Sequence, residues 1–170
     1  MTLAEWNAMS ASEAAQAILP CCGSQAWAEK LAASRPFASF EELAAASDAV
    51  WWGLPVEDWQ QAFDSHPRIG QGHAKAATAK SLAWSGGEQA TAANSMKGDD
   101  AARAALALGN AAYEKKFGRI FIVCATGKSA AEMLAILEGR MANDAATEMR
   151  EAAEQQRLIT QLRLKKWLQS

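Results

Sequence analysis

The chain has 170 residues, half of them apolar, and a net charge of −2. That length suits one domain, residues 1–170, with enough apolar side chains to bury a core. The charge excludes a nucleic-acid binder, which needs a basic stripe to hold phosphates. Arg163, Lys165 and Lys166 are too local a cluster to change this. Three cysteines without metal-type spacing fit a reducing compartment as buried, inert thiols. There is no signal-peptide pattern, no run of bilayer-spanning length and no peroxisomal address, so a soluble cytoplasmic protein is expected.

In chain order, Thr2-x-x-Glu5 opens a first helix with capping-box spacing, and Ser39-x-x-Glu42 repeats the signal. Ser12, Ser24, Ser129 and Asp144 are further candidate caps. Pro20, Pro36 and Pro55 divide the first third into short helices, and Pro55 suits the first turn of a helix reaching about Phe63. Gly70-Gln71-Gly72-His73 reads as loop, residues 74–83 as a short helix, and residues 88–95 as another. Lys97-Gly98-Asp99-Asp100 breaks the chain ahead of a helix to Phe117, where Gly118 supplies the stop. Ile120 to Cys124 is β-branched and strand-like but has no partner of comparable quality, so residues 119–125 are predicted as an extended segment between helices. Helix resumes after Ser129, breaks near Ala142 and Asn143, and ends in a long helix from about Asp144 to Leu168. The fold class is all-α, a compact helical bundle-like domain.

The residues that can carry chemistry start with Asp64-Ser65-His66-Pro67-Arg68-Ile69-Gly70. Pro67 has a fixed φ and keeps His66 out of the α region, on a rigid turn just past a helix. Histidine titrates nearest to working pH, which makes His66 a candidate general acid or base. His73 lacks that restraint. Ser85-Gly86-Gly87-Glu88-Gln89 is expected at a helix start. Ser85 and Glu88 have capping-box spacing there; equally, free N–H groups and the dipole favour an anionic or polar ligand. Gln89 can donate and accept at once, and Glu88 can accept N–H bonds or fix the His66 tautomer.

The side chains of Phe121, Ile122, Val123, Cys124 and Ala125 read as core. Their backbone is different, because an extended segment without a strand partner must hydrogen-bond elsewhere. Arg163 shares a helical face with Ile159, where a guanidinium needs a partner: a buried carboxylate or a substrate carboxylate. Asp64, Arg68, Arg140 and Asn143 read as structural hydrogen-bonders, and Arg119 as solvent-facing.

Together, His66-Pro67-Arg68-Ile69-Gly70, Ser85-x-x-Glu88-Gln89, Phe117-Gly118 with Phe121-Ile122-Val123-Cys124-Ala125, Arg140-x-x-Asn143-Asp144 and Ile159-x-x-Leu162-Arg163-Leu164 resemble the 2-oxo-4-hydroxy-4-carboxy-5-ureidoimidazoline (OHCU) decarboxylases of uric acid degradation. An apolar residue is commoner at the position of Arg119. The resemblance implies a helical fold, usually homodimeric, and a cofactor-free decarboxylation to (S)-allantoin, because the substrate's own imine can accept the electrons that carbon dioxide leaves behind. It implies His66 as proton donor with Glu88 assisting, and substrate gripped by Pro67, Ser85, Gln89, the 121–125 segment and Arg163. The rival readings are a helical adaptor built on Trp51, Trp52, Trp59 and Trp84, which requires an exposed apolar groove, and a hydrolase or isomerase of another ureido heterocycle.

Overall fold

The computed structural model describes residues 1–67, 81, 83–85, 88 and 100–169. The helices are α1 (Leu3–Ala8), α2 (Ala11–Ile18), α3 (Gln25–Ala33), α4 (Phe40–Trp52), α5 (Val56–Asp64), α6 (Asp100–Phe117), α7 (Ala130–Met141) and α8 (Ala145–Gln169), with a 3₁₀ turn at Leu19–Cys21. Ser81, Ala83, Trp84, Ser85 and Glu88 are also helical, and no strand occurs among the described residues. The all-α expectation holds. The expected loop at residues 70–73, most of the two short helices after it, and Arg68, His73 and Gln89 lie outside the described residues.

Local chemistry starts most helices where the sequence says. The Thr2 hydroxyl accepts from the Glu5 N–H while the Glu5 carboxylate accepts from the Thr2 N–H, a reciprocal box. Ser24, Ser39 and Ser129 accept from the N–H groups of Trp27, Glu42 and Glu132, and the Asp144 carboxylate accepts from Thr147. Three readings need correction. The cap of α2 is Ser10, boxed with Glu13, whereas Ser12 lies inside the helix. Glu42 reaches the Ala38 N–H rather than that of Ser39. Pro55 stands at the N-cap of α5, one residue outside the helix. Gly118 ends α6 at φ +72°, its N–H donating to the Glu114 carbonyl.

Two cores form. The larger gathers α1–α5 and α8 around Trp6, Trp27, Trp51 and Trp167, none more than 2% exposed. Buried indoles need acceptors, and they find them: Trp6 on the Ala14 carbonyl, Trp27 on Ser47, Trp51 on the Ala153 carbonyl and Trp59 on the Trp51 carbonyl. Trp51 and Trp59 are therefore interior residues, not the rim of an adaptor's groove. The smaller core lies between α6 and α7, with Leu106, Tyr113, Met133 and Leu137.

Residues 120–125 run between these cores without regular structure. Ile122 and Cys124 join the larger core, Phe121 and Val123 the smaller. That alternation is the period of an extended chain, as the sequence predicted.

Candidate active site

His66 sits one residue beyond the C-cap of α5. Its N–H donates to the Phe63 carbonyl, and the Ser65 N–H and hydroxyl both donate to that of Ala62. Gly23 fixes the turn from the other side. At φ +87° it packs so closely that an added Cβ would stand 2.4 Å from Ser65 Oγ. Only glycine accommodates both the conformation and the approach.

Opposite lies the inner face of α8, where Gln156, Thr160 and Arg163 are buried polar residues among Ala152, Ile159 and Leu164. The spacings of four and three place them on one face. Gln156 Oε1 lies 2.7 Å from His66 Nε2. The Arg163 side chain is fully buried; Nε donates to Glu88 Oε1 at 3.1 Å, Nη2 to Ser85 Oγ at 2.9 Å and Glu88 Oε2 at 3.3 Å, and Nη1 to the Pro20 carbonyl at 3.4 Å. Of its two expected partners, Arg163 takes the carboxylate of the protein, and that carboxylate is Glu88. Ser85 is itself helical, not the residue ahead of a helix. Its hydroxyl serves the guanidinium rather than a cap. The tautomer contact imagined for Glu88 belongs to Gln156.

The third wall is the 121–125 segment. In extended chain the polar groups of successive residues point to opposite edges. On one edge, Arg140 Nη1 donates to the Ile122 carbonyl, the Cys124 N–H donates to Gln155 Oε1, and Lys128 Nζ donates to the Cys124 carbonyl. On the other, neither the Val123 N–H nor its carbonyl makes a hydrogen bond among the described residues. Arg140 is held in turn by Glu148, which is fully buried and also accepts from the Tyr113 hydroxyl and the Asn143 amide. Arg140 and Asn143 are thus structural, as read from the sequence. Arg119 is not solvent-facing: its Nε and Nη1 are buried beside Tyr113 and meet no acceptor among the described residues.

One cleft collects these walls. His66, Pro67, Ser85, Glu88, Phe121, Ile122, Val123, Ala125 and Ile159 line about 400 Å³ of atom-free space, its open mouth included. Of the residues picked from the sequence, Cys124 and Arg163 stand behind this lining. Gln156, Thr160 and Gln155 were missed. Three polar residues on the apolar face of the last helix were the available signal, and only Arg163 was drawn from it.

Burial, and then the positive charge of Arg163, push the His66 ring down to about 3, against a smaller upward pull from Gln156. His66 is neutral at working pH. The unfolded ring protonates near 6.5, so between pH 6.5 and 3 the unfolded state binds the extra proton. The stabilisation is complete above pH 6.5 and is lost as pH falls toward 3, by up to about 1.4 kcal/mol per pH unit. Urea unfolding across this range is expected to show His66→Gln with a flatter acid limb than the parent. Parallel limbs would mean a solvated ring.

A half-buried His, an arginine-held carboxylate and a backbone edge that makes no hydrogen bond among the described residues share one cleft, an arrangement suited to acid–base chemistry. The family model for OHCU decarboxylase matches residues 7–165, and the chain belongs to that family. That family is named for a decarboxylase, a carboxy-lyase. The chain is 39% identical over 147 residues to the uric acid degradation bifunctional protein TTL of Arabidopsis thaliana, covering 86% of this chain and 44% of that protein. It thus spans less than half of that relative. To the 2-oxo-4-hydroxy-4-carboxy-5-ureidoimidazoline decarboxylase of Amia calva it is 34% identical over 138 residues, covering 79% of this chain and 75% of the other. A crystal structure of OHCU decarboxylase in the presence of (S)-allantoin superposes with a TM-score of 0.75 at 35% identity, covering 89% and 96% of the two chains. An (S)-allantoin synthase structure shares the fold, with a TM-score of 0.72 at 20% identity over 99% of this chain and 54% of that one.

Proposed function

We propose that the cleft decarboxylates 2-oxo-4-hydroxy-4-carboxy-5-ureidoimidazoline to (S)-allantoin, with His66 moving the proton and Glu88 assisting. The observation that carries this reading is the convergence on one cleft of His66, Ser85, Glu88 and the Val123 backbone, which is unpaired among the described residues. The Val123 N–H and carbonyl offer one donor and one acceptor, which match the alternating groups of a ureido heterocycle. Gln89, one residue beyond Glu88 in sequence, adds an amide suited to the ureido group.

The chemistry balances without an added electron sink. The C4–carboxylate bond breaks and releases carbon dioxide, and its electron pair forms a C4–C5 double bond. The imine π pair moves onto nitrogen, and that nitrogen takes a proton from solvent, the one proton the overall reaction consumes. The resulting enol then loses its hydroxyl proton and gains one at C5. A histidine held neutral cannot start as an acid, so His66 takes the 4-hydroxyl proton and donates it to C5, ending in the protonation state in which it began. Delivery from one wall of the cleft selects one enantiomer. Glu88, fixed by Arg163, supports the ring N–H groups as charge moves. A homodimer in the cytoplasm is the setting the family resemblance implies.

Substrate generated in situ from urate, by urate oxidase and hydroxyisourate hydrolase, provides the assay. Circular dichroism is expected to show rapid formation of optically active allantoin, slowed by His66→Gln by a factor of about 100 or more. Decay no faster than the spontaneous racemic reaction would overturn the reading.

A further inference from the structure

Gln156 is fully buried on α8 and serves two neighbours at once. Its Nε2 donates to Thr160 Oγ1 at 3.1 Å, and its Oε1 faces His66 Nε2 at 2.7 Å. The Thr160 hydroxyl is paired in turn with the buried Cys22 thiol, which burial holds protonated. An amide has one accepting end and one donating end. With the donating end committed to Thr160, the oxygen is left to His66, and an oxygen only accepts. The ring nitrogen facing it must carry the hydrogen.

We propose that Gln156 is a positioning residue: anchored by Thr160, its carbonyl oxygen holds His66 as the Nε2–H tautomer and leaves Nδ1 as the nitrogen that exchanges protons with substrate. Nδ1 makes no hydrogen bond among the described residues. The choice of an amide has a chemical reason. A carboxylate at this position would set the same orientation but favour the imidazolium, which can only donate. An amide orders the ring without charging it, which a residue that must first accept a proton requires. Arg163 works in the same direction, since its positive charge opposes a second one on the ring.

The catalytic half of this inference rests on the decarboxylase reading; the tautomer itself does not. The full chain labelled with ¹⁵N-histidine gives long-range ¹H–¹⁵N correlations that distinguish the two neutral tautomers from the imidazolium. The chain contains only two histidines, and a His73→Gln variant assigns them. At pH 7 the expected His66 pattern is a protonated Nε2 and a bare Nδ1. Gln156→Glu is expected to convert the ring to imidazolium, and Gln156→Leu to mix the tautomers. In the same assay kcat falls about tenfold or more in both variants while KM stays within about twofold, as for a residue that acts through another. Should Gln156→Leu fail to fold, the parent spectrum and Gln156→Glu decide the matter. A parent ring protonated at Nδ1, or a Gln156→Leu chain with unchanged tautomer and unchanged kcat, overturns the proposal. An inactive parent chain with the Nε2–H pattern would remove the decarboxylase reading and leave the tautomer assignment standing.

Discussion

Replacing Arg163 with methionine is expected to abolish measurable turnover and to destabilise the chain by about 3 kcal/mol, near the low end for a broken buried ion pair. The guanidinium is fully buried and joins the Ser85 hydroxyl, both Glu88 oxygens and the Pro20 carbonyl. Methionine fills much of the volume but leaves the Glu88 carboxylate, only 11% exposed, without its counter-charge. The carboxylate must then protonate or swing to water, and either removes the charged group from the cleft lining it shares with His66. Lysine is not a conservative rescue, since one ammonium cannot reproduce a forked contact to three groups. Thermal unfolding and the allantoin assay separate the two effects. Adding Glu88→Gln to Arg163→Met should recover most of the lost stability, because the unpaired charge is gone, and none of the activity. An Arg163→Met chain with parental kcat would show that the Glu88 position is catalytically irrelevant.

Glu148→Leu is expected to have the largest effect on stability, about 3–5 kcal/mol, a substantial share of what holds a typical domain together. Glu148 is fully buried and accepts from Arg140 Nε at 2.8 Å and Nη2 at 2.5 Å, from the Tyr113 hydroxyl at 2.5 Å and from Asn143 at 3.1 Å. Its removal leaves a guanidinium only 5% exposed with no anion. The consequence reaches the cleft, because Arg140 also holds the Ile122 carbonyl at 2.6 Å and stacks over the Phe121 ring at 4.6 Å. Freed from that anchor, the 121–125 segment loses the edge it presents to substrate. Urea unfolding of Glu148→Leu and of Glu148→Leu with Arg140→Met tests this. The double variant should regain stability, as apolar replacements of buried ion pairs often do, yet remain slow, because the Ile122 carbonyl is still unanchored. A loss below about 1 kcal/mol in the single variant would mean that water reaches the pair in solution.

Features that depend on neighbours along the chain were legible before any fold was known. Thr2 with Glu5, Ser24, Ser39, Ser129 and Asp144 start helices because a short side chain meets N–H groups two or three residues on. Gly118 stops one because only glycine enters the left-handed region cheaply. Pro67 beside His66, and an apolar run lacking a strand partner, were legible for the same reason. Even local rules slip by a residue or two, as Ser10 in place of Ser12 shows.

Pairing across distance, by contrast, came from packing. Arg163 had two chemically acceptable partners, and only the fold puts Glu88, 75 residues away, within 3.1 Å. His66 could have met Glu88; packing of α8 against α5 gives it Gln156, 90 residues away, instead. Arg140, Gln155 and Lys128 come from other elements to occupy one edge of the 121–125 segment, while the Val123 edge makes no hydrogen bond among the described residues. Hydrogen bonding and burial are properties of what surrounds a group. For Arg163 and His66 the deciding partners, Glu88 and Gln156, come from distant parts of the chain.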